Sequence, residues 1–221
     1  MGGGGTGRYD IGVTSDDTGG AVGDHASDDA SDESDDDAGD QAQFAARLAA
    51  LVGTPVSSGG PSVAPDPVNQ PMIRHWAAAF EDENPVYTDP EVAAASRFGD
   101  IVAPPLMLQT WTMATPKITG IAERGGSPVE LDEDGPLTLF DEAGFVGTLA
   151  SNSEFEIERY LHPGDVISAT TVIEAISERK QTRIGPGHFV TWVTTYVDQD
   201  GEVVGLQRFR ILKFKPEGLA P

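Results

Sequence analysis

The chain of 221 residues contains no cysteine, which rules out disulfides, thiolate nucleophiles and cysteine-based zinc sites. Basic residues are scarce: 14 Lys and Arg stand against 36 Asp and Glu, a formal net charge of -22. Such a surface repels nucleic-acid phosphates and anionic headgroups, which argues against a nucleic-acid or membrane-surface role. No window approaches the roughly 18 apolar residues of a membrane span, and no basic segment followed by an apolar run opens the chain. The expected location is the cytoplasm.

What is present falls into two parts. Residues 1–40 hold twelve acidic residues and one base, Arg8, half of the net charge in under a fifth of the chain. This Gly-, Ser- and Asp-rich stretch cannot bury enough apolar surface to offset the entropy of ordering it, so a disordered acidic tail is expected there. Residues 41–221 remain as one domain, near the usual size of about 150 residues. Its acidic excess suits a salt-rich cytoplasm, where ions screen self-repulsion, and a halophilic source is the expected explanation.

Within the domain, Phe44, Leu48 and Leu51 share one helical stripe over residues 41–52. A Pro/Gly/Ser-rich connection follows. Asn69 then offers a cap and Pro71 a helix start, and Ile73, Trp76, Ala77 and Phe80 follow the i, i+3, i+4, i+7 spacing of a buried face. An extended piece is expected around Val86 and a helical turn from Pro90 to Ser96. Pro104 and Pro105 lead into Leu106–Met113, apolar around most of its circumference, the candidate central helix. Residues 122–135 look like a mobile loop. Strands are expected over 147–160, 165–177, 188–198 and 202–213, with Asp198-Gln199-Asp200-Gly201 as a hairpin turn between the last two. Helices followed by consecutive antiparallel strands indicate an α+β domain.

The most informative segment is AFEDENPVYTDPEVAAASRFGDIVAPPLMLQTWTM, from Ala79 to Met113. It resembles the MaoC-like acyl-CoA hydratase and dehydratase family, in particular its N-terminal-type hotdog domains. Active members of that family hold a G-D-x-N-P-hydrophobic-H-x-D motif whose Asp and His sit over an acyl thioester. The matching residues are Asp82, Asn84, Pro85, Val86 and Asp89, with Ala103, Pro104 and Pro105 entering the central helix. Glu81 stands where the motif has Gly, and Tyr87 where it has His. His162-Pro163-Gly164-Asp165 and the run Gly185–Thr191 extend the likeness to about residue 215.

The resemblance implies a hotdog fold, an antiparallel sheet wrapped around a central helix, and hydration of a 2-enoyl-CoA or the reverse dehydration. No metal or redox cofactor is implied; coenzyme A enters as part of the substrate. Adding water to an enoyl thioester needs a base, an acid and donors for the enolate-like oxygen. A tyrosine with an ordinary pKa near 10 is a poor base at neutral pH, whereas a histidine titrates there.

Two explanations of Tyr87 follow. In one, the chain completes an acyl-CoA tunnel while a paralogous hotdog chain supplies the intact Asp and His. In the other, a self-sufficient homodimer works with Asp82 and Tyr87 or another group. The resemblance extends the partners to an OB-fold acyl-CoA-binding protein and a thiolase, so a non-enzymatic acyl-CoA-binding scaffold is a rival reading. A thioesterase is a third, since hotdog folds host that chemistry too.

Each candidate residue also has a purely structural reading. Asp82 can cap the turn after the helix ending near Phe80, and Asn84 and Pro85 can shape the loop. Asp89 before Pro90 is a helix-start residue, and Tyr87 can be a packed aromatic. On the substrate side, Asn84, Ala103, Pro104, Arg183 and His188 are the candidates. Arg179, Lys180 and Arg183 form a basic cluster that could offset coenzyme A phosphates or lie solvated at a strand end. Of the histidines, His25 lies in the tail, and His75, His162 and His188 read as surface residues without metal-ligand spacing; His188 is nearest a Gly-rich loop. Gly185-Pro186-Gly187 reads as a turn. Trp76, Trp111 and Trp192 are assigned to packing or to a subunit interface.

Overall fold

The computed structural model describes residues 7–10, 35–123 and 135–216. The acidic tail therefore falls largely on residues 1–6 and 11–34, outside the described residues, as does most of the expected loop at 122–135. Of the tail, residues 7–10 form strand β1 (Gly7–Asp10), and residues 35–40 open helix α1 (Asp35–Leu51), six residues before the expected start.

Capping chemistry places the next elements. Helix α2 (Gln70–Ala79) follows strand β2 (Ser62–Val63), and the Asn69 side chain accepts the Met72 N–H at 3.1 Å, satisfying one of the free donors of the first turn. Of the expected buried face, Ile73 and Ala77 are buried and Trp76 partly so, but Phe80, at the helix's C-cap, is exposed. Helix α3 (Pro90–Ala95) is capped by Asp89, whose carboxylate accepts from the N–H groups of Glu91 and Val92. The extended piece expected around Val86 is instead a short 3-10 helix, Pro85–Tyr87. Pro85 presets a helical φ, and the Tyr87 and Thr88 N–H groups bond back to Asn84 and Pro85, tightening the segment into turns.

The expected central helix is a second 3-10 helix, Pro105–Thr112. Pro104 and Pro105 have no N–H to donate, and the first bond after them runs i to i−3, from Met107 N–H to Pro104 O at 2.9 Å. Its Met107, Leu108 and Trp111 are buried, so the segment holds the central position that its apolar circumference indicates. A short helix α4 (Thr138–Glu142) precedes the sheet proper and was not foreseen.

The sheet is antiparallel. Strands β3 (Gly147–Ile157), β4 (Ser168–Ile176), β5 (Lys180–Thr182), β6 (Gly185–Val197) and β7 (Val203–Phe214) join in the order β1-β3-β7-β6-β4-β2, with β5 paired to β6. The β6–β7 hairpin turns where expected: Asp198 Oδ1 accepts the N–H groups of Asp200 and Glu202, and Gly201 takes φ +79°. Bulges between Ala150 and Asn152, Ile173 and Ala175, and Tyr196 and Val197 add twist and let the sheet curve.

Gly185-Pro186-Gly187 is not a turn but the buried start of β6, paired with both β5 and β7. A Cβ on Gly187 would lie 2.5 Å from Lys213 O, so only glycine admits this approach.

Register assigns the core. Tyr196 faces Gly205, Thr194 faces Gln207, Trp192 faces Phe209, Val190 faces Ile211 and His188 faces Lys213, all on one side of the sheet. Two apolar clusters share that side. The first gathers the second 3-10 helix with Ile73, Tyr87, Phe155, Tyr196 and Val204. The second gathers Leu48, Phe140, Phe145, Ile173, Val190 and Ile211 beneath α1 and α4. Gly205 lets the 3-10 helix settle, since a Cβ there would lie 2.8 Å from the Leu108 Cδ2. Gln207 is the polar joint on this side: it accepts from the buried Tyr196 hydroxyl at 2.9 Å and donates to Gln109 at 2.8 Å and Ser153 at 2.9 Å. Among the described residues no helix is long and apolar enough to cross a membrane.

Candidate functional site

The motif begins where α2 ends. The Glu81 N–H bonds Ala78 O and the Asp82 N–H bonds Ala77 O at 2.9 Å, the paired closure that sets the residue after the cap in the left-handed conformation. That residue is Glu81, at φ +53°, and it is the only non-glycine with positive φ among the described residues. It stands at the motif's glycine position. The backbone path suited to glycine is thus kept although the residue is not, at a local cost of about 1–2 kcal/mol.

The turn delivers Asp82 half-buried, with its Oδ1 accepting the Asn84 N–H at 3.1 Å. Asn84 Oδ1 in turn accepts the Val86 N–H at 3.3 Å and caps the first 3-10 helix. Asn84 itself is exposed. Among the described residues Asp82 Oδ2 has no hydrogen-bond partner, so one carboxylate oxygen is left for solvent or a substrate.

Tyr87 lies inside the first cluster at 7% exposure, and its backbone carbonyl accepts from Gln70 Nε2 at 2.8 Å. A buried ring in that position is a packing element. Ala103 and Pro104 are buried beside it; Val102 N–H meets Val86 O and Ala103 N–H meets Leu161 O, binding the motif loop to the approach of the second 3-10 helix. Asp82, Asn84, Tyr87, Ala103 and Pro104 therefore belong to one neighbourhood. Trp111 belongs to the same cluster, Trp76 stacks on Phe80 at 4.3 Å between ring centres, and Trp192 packs on Phe209.

Arg183 and His188 belong elsewhere, His188 against the phenylalanines of the second cluster and Arg183 at the turn between β5 and β6. Arg183, Arg179 and Lys180 are exposed around the β5 hairpin. The surface reading of His188 is corrected: the ring is 6% exposed, among Phe145 at 4.9 Å and Phe44 and Phe140 at 5.9 Å each. The reason is register. Because β6 begins at Gly185, His188 falls on the same side as Val190 and Trp192, and α1 lays Phe44 over it. Burial holds its imidazole below the ordinary value of 6.5, opposed by the hydrogen bond to Ser177 and reinforced by the positive field of Arg179. The alternation His188-Val190-Trp192-Thr194-Tyr196 was the signal available in the sequence.

His162 is also not a free surface residue; half-buried, its Nδ1 meets Ile101 O at 2.9 Å. His75 is exposed as expected, and His25 lies outside the described residues.

The comparisons with known proteins agree with this geometry. The model of the FAS1-like dehydratase domain region matches residues 50–207. A probable enoyl-CoA hydratase alpha subunit of Thermomonospora curvata is 46% identical over 160 residues, 72% of this chain and 49% of that protein. The 3-oxo-4,17-pregnadiene-20-carboxyl-CoA hydratase alpha subunit of Mycobacterium tuberculosis is 41% identical over 167 residues, 74% of this chain and 51% of that protein. The chain thus spans about half the length of the curated relatives it matches. Among solved structures, a chain of the ChsH1-ChsH2 complex from Mycobacterium tuberculosis superposes with a TM-score of 0.65 at 37% identity, over 83% of this chain and 96% of that one. A MaoC-like dehydratase shares the fold, with a TM-score of 0.52 at 21% identity over 79% of this chain and 45% of that one. The chain belongs to the FAS1-like dehydratase family and has the hotdog fold that it shares with a MaoC-like dehydratase.

Proposed function

We propose that the chain is one subunit of a heteromeric enoyl-CoA hydratase, shaping the acyl-CoA tunnel while a paralogous hotdog chain supplies the Asp and His that handle water. The observation behind it is the position of Tyr87: where the family motif has its histidine, this chain has a phenol ring packed into the core at 7% exposure. A ring so placed is poorly positioned to reach a substrate water. Asp82 retains a free carboxylate oxygen but no imidazole beside it in the motif. The names of the two hydratase alpha subunits, and the two-component complex holding the solved relative, support a paired assembly.

In this reading the chemistry divides between chains. The partner's base activates water for attack at the β-carbon, its acid protonates the α-carbon, and backbone donors hold the enolate-like oxygen. This chain contributes the Asp82 carboxylate at the tunnel's edge, while Ala103 and Pro104, both buried, hold the motif loop in place rather than touching substrate. No metal or redox cofactor takes part; coenzyme A arrives as part of the substrate.

The test is to purify the chain alone and with hotdog chains encoded beside it, in high salt, and to follow hydration of crotonyl-CoA and longer enoyl-CoA thioesters. Turnover confined to a mixture supports the proposal. Turnover by the chain alone, lost in Asp82→Asn, supports the homodimer instead. Acyl-CoA binding without hydration in any mixture supports the scaffold.

A further inference from the structure

Away from the motif, α1, the end of β4 and the start of β6 enclose a cavity of about 900 Å³, walled by Phe44, Leu48, Phe145 and Ile176 with His188 in its lining. That volume is in the range of small-molecule sites, which are mostly apolar with a few polar groups that fix orientation. Here the polar group is defined. His188 Nδ1 lies 2.9 Å from Ser177 O, and a carbonyl only accepts, so Nδ1 bears the proton. The neutral ring that burial favours then has a bare lone pair on Nε2. Among the described residues no side chain or backbone group bonds Nε2, so it is the ring nitrogen left for a guest.

The charged residues around the cavity balance: Arg179 and Lys215 are matched by Asp40 and Glu178. Lys213, beside His188 across the sheet, is engaged by Asp141 and Thr148. A strongly charged guest gains nothing from such a rim, while an apolar one gains from two phenylalanine rings, Phe44 and Phe145, beside a hydrogen-bond acceptor.

We infer that this cavity is a second ligand site, independent of the motif, for an uncharged apolar molecule bearing a hydroxyl group that donates to His188 Nε2. The hydroxyl is the recognised feature, and a phenol on a flat ring system fits the aromatic walls best.

The probes are 2-naphthol and 2-methoxynaphthalene, near-identical in apolar surface but only the first able to donate. Fluorescence titration of the full chain at pH 7.5 is expected to show 2-naphthol bound roughly three- to tenfold more tightly, the value of one hydrogen bond. His188→Phe keeps a ring in place and removes the acceptor, so it is expected to erase the preference. If that variant does not fold, Ala45→Trp, at an exposed α1 position that lines the cavity, is expected to abolish binding of both probes. Equal affinities in the unaltered chain, no binding of 2-naphthol, a preference surviving in His188→Phe, or 2-naphthol binding unchanged in Ala45→Trp would each overturn the inference.

Discussion

The two ends of the sheet's inner side use chemically capable residues in opposite ways. At the motif end, residues of the kind that serve catalysis are engaged in structure, the acid through one oxygen only: Asp82 Oδ1 and Asn84 cap turns, and Tyr87 packs. At the other end, His188 sits buried among phenylalanines with one nitrogen uncommitted. A motif in sequence is therefore a weaker guide to reactivity than the hydrogen bonds and burial of its members.

The comparison predicts where substitutions act on stability, and the largest effect is at the motif. Tyr87→Ala should cost about 3–5 kcal/mol, the range for emptying a buried aromatic site, read as a lowered midpoint in urea unfolding. A change under 1 kcal/mol would make Tyr87 a surface ligand contact rather than a core residue. Gln207→Ala should cost about 2 kcal/mol, because it leaves the buried Tyr196 hydroxyl without its acceptor. The companion variant Tyr196→Phe should recover part of that loss in a double-mutant cycle, and additivity of the two would break the link.

Glu81→Gly should act in the other direction. It relieves a left-handed conformation at a side-chain-bearing residue and should stabilise by about 1 kcal/mol, visible as a raised thermal midpoint. Destabilisation would mean that the glutamate side chain has a role beyond occupying the motif's glycine position.

The smallest effect concerns pH. Since folding lowers the His188 pKa below 6.5, the unfolded chain takes up a proton before the folded one. His188 therefore leaves stability unchanged above about pH 6.5 and erodes it as pH falls through that value, levelling once the folded imidazole is itself protonated. The difference in stability between the unaltered chain and His188→Phe should narrow or reverse between pH 7.5 and pH 5, and a difference independent of pH would contradict it.

Much of this architecture was legible because it rests on local chemistry. Asn69 and Asp89 announce helices through their side-chain oxygens, the Asp198–Gly201 turn is set by one carboxylate and one glycine, and β6 and β7 alternate with period two. What was not legible depends on partners distant in the chain. Gly185–Gly187 looks like a turn until Lys213 O is known to lie where a Cβ would be. The second 3-10 helix and a full α-helix present the same apolar circumference, and the choice falls to two prolines that cannot donate. His188 reads as surface from its Gly-rich neighbours, and it is covered by residues far from it in the chain, Phe44 of α1 together with Phe140 and Phe145. Within the motif, sequence identified the residues but not their employment, because Asp82 in a turn and Asp82 over a thioester are the same letter.

The central claim is that proton transfer belongs to the partner chain. The most direct measurement is the kcat for enoyl-CoA hydration of a reconstituted complex in which only this chain bears Asp82→Asn, an exchange that keeps the oxygen accepting from Asn84. The account predicts a kcat within about twofold of the unaltered complex, since the turn survives and no acid or base is lost. A fall of about 100-fold or more, the scale of losing a general acid or base, would contradict it.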